Sequence, residues 1–99
     1  MDAIGFFIKL EFTYLRNWVF ENNDAGRVFR GAIKLITCDR TRVYIDCFFV
    51  NTTDEQGNLI EWPIRYFYYD LADIVEYDIK GEVYSFRHKE YGLFQIQPD

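Results

Sequence analysis

Ninety-nine residues, 49% hydrophobic and 20% aromatic, suffice for one domain spanning 1–99 and are too apolar for a disordered chain. A net charge of −5 argues against non-specific DNA binding, which depends on neutralising phosphates. No apolar run reaches the ~18 residues of a membrane span, and Asp2 stands where a signal peptide would be basic; the chain reads as cytoplasmic, with no membrane partner.

Residues 6–14 alternate, with Phe6, Ile8, Leu10, Phe12 and Tyr14 set against Lys9, Glu11 and Thr13. Side chains on a strand point alternately to its two faces, so this is the clearest strand pattern in the chain. Residues 15–20 are ambiguous: Trp18 and Phe20 extend a strand or cap one end of the core. Residues 21–26 are a loop by composition.

The stretch 26–50 predicts two long strands joined by a tight polar turn at 38–41. Val43, Ile45, Cys47 and Phe49 share one parity, and Arg42, Tyr44 and Asp46 the other. On the preceding strand Phe29, Gly31, Ile33 and Leu35 face one way, Arg30 and Lys34 the other. Asp39 and Thr41 suit a turn because their side chains can bond nearby backbone. Phe48 and Val50 break the alternation, leaving the far end of the hairpin apolar on both faces. In this register Cys47 faces Ile33, so no disulfide to Cys38 is expected.

Residues 51–58 read as an exposed polar loop. In 59–69, Ile60, Trp62, Ile64, Tyr66 and Tyr68 share a parity, which assigns them to the core. Phe67 and Tyr69 are left facing outward beside Arg65. Pro63 cannot donate to a ladder and suggests an edge or a bulge. A single turn at 70–73 leads into a strand at 74–79. Lys80-Gly81 then turns into 82–87, and 88–92 turns into a last strand at 93–97.

Gly31, Ile33, Leu35, Asp39, Val43, Ile45 and Asp46 around their tight turn resemble the first motif of Sm-like proteins. The resemblance implies a small bent barrel, strand-to-strand self-association into rings, and RNA binding in many members. That family begins with a short helix, where 6–14 here alternates as a strand. The expected fold is therefore all-β and mainly antiparallel. It is a small barrel of SH3 or Sm-like size, with six to seven strands and at most one short helical turn.

The chemistry-bearing residues are sparse. The single histidine, His88, falls in a polar turn and reads as a surface residue. No metal-ligand spacing, nucleophile motif or phosphate loop is present, so neither an enzyme nor a cofactor is expected. Eight Tyr, ten Phe and two Trp exceed what one small core absorbs, and the surplus points to an interface. Phe48, Val50, Arg65, Phe67 and Tyr69 are the candidate interface residues. The expected partners are further copies of the chain, closing into a ring if the rotation allows, and an unidentified protein. The alternative is single-stranded RNA or other nucleic acid held by Arg27, Arg30, Lys34, Arg40 and Arg42. Charge is split along the chain: 1–50 carries seven Lys/Arg against six Asp/Glu, and 51–99 carries four against ten. That asymmetry favours head-to-tail encounter.

Overall fold

The computed structural model describes residues 2–22, 29–54 and 56–99. Helix α1 (Ala3–Glu11) is followed by β1 (Trp18–Asn22), β2 (Phe29–Cys38), β3 (Arg42–Thr53) and β4 (Leu59–Asp70). A 3-10 turn at Leu71–Asp73 leads to β5 (Ile74–Lys80), β6 (Val83–His88) and β7 (Gly92–Pro98). All seven strands form one antiparallel sheet in the order β4-β3-β2-β1-β7-β6-β5. It is an open sheet, with β4 and β5 at its two ends.

The predominance of antiparallel β agrees with the sequence pattern, but the N-terminus does not. The residues expected as the first strand, 6–14, are instead helical as far as Glu11, within a nine-residue helix (Ala3–Glu11) that exceeds the single helical turn expected. Phe7 is the reason: an apolar side chain on the supposedly polar parity. Phe6, Phe7 and Leu10 are all buried, and this spacing gathers them on one helical face. Asp2 caps the helix, its Oδ1 accepting from the Gly5 N–H at 2.8 Å. The strand lost here is replaced by β1, which lies at the centre of the sheet.

The sheet curls around an aromatic core. Phe20, Phe86 and Phe94, on β1, β6 and β7, lie nearly parallel with centroids 4.9–6.1 Å apart. Tyr69 on β4 reaches across to Phe94, 5.1 Å away, although three strands separate β4 from β7. Helix α1 packs onto β2 and β5. Its Phe6 meets Tyr77 and Tyr84, and its Phe7 meets Phe86. Two backbone bonds clasp the 3-10 turn between the sheet's ends: Leu71 N–H to the Thr41 carbonyl, and Lys89 N–H to the Asp73 carbonyl, both 2.9 Å.

The β2–β3 turn forms as the sequence predicts. Asp39 Oδ1 accepts from the N–H groups of Thr41 and Arg42 at 2.7 and 2.8 Å. These bonds hold the carboxyl down at about 2. Cys47 pairs with Ile33, as expected, and both cysteines are free. Burial pushes the Cys47 thiol up to about 12. Two irregularities alter the expected facing. The register shifts between Ile33 and Leu35, so Leu35 is exposed and Ile36 takes its place inside. Phe49 adopts a left-handed φ of 51° and points outward, which turns Val50 into the core.

The polar stretch after β3 is shorter than expected, since 51–53 still belong to the strand. Asp54 then orders the turn by accepting from the Gln56 and Asn58 N–H groups. The β5–β6 turn is one residue later than predicted: Lys80 pairs with Val83, leaving Gly81 and Glu82 at the tip. Gly81 has φ 59°, a conformation only glycine adopts cheaply. Most of the loop expected at 21–26, and the start of the strand expected from 26, lie outside the described residues. Among the described residues, no helix is long and apolar enough to cross a membrane.

Candidate functional site: an aromatic cleft and an open sheet edge

Strand β4 carries both features of interest, because its two faces do different things. Its phase is set by β3. Val43, Ile45 and Cys47, all buried, pair with Tyr69, Phe67 and Arg65. Opposed residues in an antiparallel pair share a face. Tyr69 is therefore 8% exposed and Phe67 packs against the core, where the sequence reading had both facing water. Ile64, Tyr66 and Tyr68, expected in the core, are instead 70%, 52% and 57% exposed on the outer face. Apolar residues occupy both parities of 64–69, so alternation alone cannot fix which side is buried. Pro63 does lie on an edge strand, as its missing N–H suggested.

On the inner side of β4 lies an open cleft of about 700 Å³. Phe29, Trp62, Phe67, Tyr69, Tyr91 and Phe94 provide its aromatic lining, joined at the rim by Tyr66 and Tyr68. Phe29 and Phe67 stack at 4.9 Å. The polar groups around it include Asn22, Thr52, Arg65 and Glu90. The Arg65 guanidinium sits 5.6 Å from the Trp62 ring centre and 5.9 Å from that of Phe67. Asn22 Nδ2 donates to the Tyr91 carbonyl at 2.9 Å and ties the β6–β7 turn to the end of β1. Burial, then the neighbouring Cys47 and Tyr91, push the Tyr69 phenol above its ordinary range.

His88 was expected at the surface but is only 5% exposed. Its Nδ1 accepts from the Glu90 and Tyr91 N–H groups at 3.0 and 3.3 Å, and its ring stacks on Tyr91 at 4.6 Å. The ring thus organises the turn that forms one wall of the cleft. Its burial is unreadable from sequence because the contacts come from Tyr69, 19 residues earlier, as well as from the turn.

The candidate interface set divides. Val50, Arg65, Phe67 and Tyr69 line the cleft. Phe48 is on the outer face, half-buried, paired with Ile64 and with the Lys34 Nζ 5.5 Å above its ring. The candidate nucleic-acid residues are dispersed in role. Arg30 bonds Asp99 and lies 3.6 Å from Glu21, and Arg42 bonds Asp70 at 2.8 Å. Arg40 is exposed in the β2–β3 turn, and Arg27 lies outside the described residues. No family model, curated protein or solved structure matches the chain.

Proposed function

We propose that this protein is a small non-enzymatic assembly module that binds protein, first of all copies of itself, through the β4 edge and the outer face beside it. The observation that carries this reading is the exposure of Ile64, Tyr66 and Tyr68 on a twelve-residue strand paired on only one side. A long apolar edge offers both unpaired backbone groups and desolvation energy, and pairing with another chain satisfies both. Phe48 and Ala32 continue the row inward from Ile64. Burying a side chain such as Ile or Tyr contributes roughly 1.5–3 kcal/mol. Three or four together reach the ~4–15 kcal/mol that association costs in lost freedom.

A heterologous contact between the β4 edge of one copy and the β5 edge of the next would close into a ring if its rotation permits. The charge difference between the two halves of the chain would speed encounter more than it would tighten the complex. Two features support the resemblance to small Sm-like barrels. A helix precedes the sheet, as in that family, and the sheet curls far enough for β4 to touch β7 through Tyr69 and Phe94. The two free thiols suit a reducing compartment, and cytoplasmic residence belongs to the same proposal.

The test is Ile64→Lys, with Tyr66→Lys as a second variant, followed by sedimentation velocity and far-UV circular dichroism. Both should lose self-association and keep the β spectrum; retained assembly in both variants would refute the assigned surface. The rival nucleic-acid reading predicts binding to single-stranded RNA that falls steeply with salt. A steep salt slope reduced by Arg40→Ala would favour it over protein binding.

A further inference from the structure

The cleft beside β4 borders the face assigned to assembly, since Tyr66 and Tyr68 line its rim along with the strand's inward residues. We propose that it binds a small molecule with a planar aromatic body and one anionic group, with Arg65 as the anion contact. Its volume of about 700 Å³ falls within the ~300–1,000 Å³ typical of small-molecule sites. Eight aromatic residues line it, and offset or edge-on packing against such rings favours a flat, unsaturated ligand.

Charge selects the rest of the ligand. Among the described residues, the salt bridges engage Arg30, Arg42, Lys80, Arg87, His88 and Lys89, but not Arg65. Arg65 is an exposed residue whose guanidinium is held over Trp62 and Phe67, leaving its donor fork to meet a carboxylate or a phosphate. The same placement disfavours a cationic ligand, since the two ring faces that would attract one already hold a positive charge. Glu90 also lines the cleft and disfavours a second anionic group. A single acidic end near Arg65, with the ring system against Phe29 and Tyr91, satisfies all of these constraints.

Aromatic carboxylates and nucleoside monophosphates share this chemistry, and calorimetry on the full chain separates them. The probes are 1-naphthoate, a nucleoside monophosphate and 1-naphthylmethylamine as the cationic control. One or both anions should bind, and whichever does names the source. The amine should bind far more weakly. Arg65→Gln should weaken anion binding by about tenfold or more, which is about 1.4 kcal/mol. Arg65→Lys should fall between, keeping charge but losing the planar fork. Amide shifts in the wild-type protein supply a readout independent of any variant. They should centre on Trp62, Arg65 and Tyr91. Failure of both anions to bind, equal binding of the amine, an unchanged Arg65→Gln affinity in a folded variant, or shifts elsewhere would each overturn the proposal.

Discussion

Gly31→Ala tests the close packing of β2 against β3. A Cβ placed on Gly31 would lie 2.9 Å from Val50 Cγ2 and 3.0 Å from Cys47 Cβ. Both neighbours are buried on β3. The Cys47 Cβ is fixed to the backbone, and a β-branched Val50 has few rotamers into which to retreat. Overpacking of this kind costs about 1–3 kcal/mol. Stiffening the unfolded chain returns about 0.4–1 kcal/mol. The net loss therefore spans about 0–2.6 kcal/mol and centres on about 1.3 kcal/mol. At roughly 4–8 °C per kcal/mol in a domain of this size, that central value lowers the melting temperature by about 5–10 °C. Urea unfolding followed by circular dichroism at several protein concentrations measures the loss separately from any association. Val50→Ala removes the closest atom, so the double variant Gly31→Ala/Val50→Ala should be more stable than the two single losses sum to. A Gly31→Ala protein more stable than wild type, or strict additivity in the cycle, would refute the packing.

Phe86→Ala should cost about 3–5 kcal/mol by removing a fully buried ring from the aromatic stack it forms with Phe20 and Phe94, and urea titration reads it directly. Asp39 sets an acid limb. Its folded carboxyl is lowered from 3.8 to about 2, first by the Thr41 and then by the Arg42 N–H bond. Its contribution is complete above the unfolded value and is lost as pH falls from about 4 through about 2. Carboxyl carbon shifts should therefore titrate near 2, and a midpoint near 4 would contradict the turn geometry. Phe67→Glu should unfold the protein, because Phe67 packs inside against Phe20 and Phe29, whereas Ile64→Lys should not.

Alternation fixes a strand's phase where one parity is polar. Arg42, Tyr44 and Asp46 against Val43, Ile45 and Cys47 leave one solution for β3, and Asp39 and Thr41 mark its turn. It does not fix the phase where both parities are apolar. In 64–69 either face could have been the core, and the decision came from pairing with β3, a contact invisible to local pattern. In 6–14 the strand period was fitted around Phe7, whose burial at helical spacing beside Phe6 and Leu10 signalled the alternative, with Asp2 as its cap. Phe49 and the shift beyond Ile33 are single-residue irregularities that move a strand's phase without any compositional mark. The cleft was half legible: Arg65, Phe67 and Tyr69 were singled out, but for the opposite face. Phe29, Tyr91 and Phe94 join them only through the curl of the sheet.

The most direct test of the assembly reading is the mass of the wild-type protein by light scattering after size exclusion, loaded at about 100 μM, well above the micromolar affinity that corresponds to about −8 kcal/mol. The exposed β4 edge predicts a mass that is a multiple of 12.0 kDa and falls on dilution. A strict 12.0 kDa monomer throughout that range would contradict it.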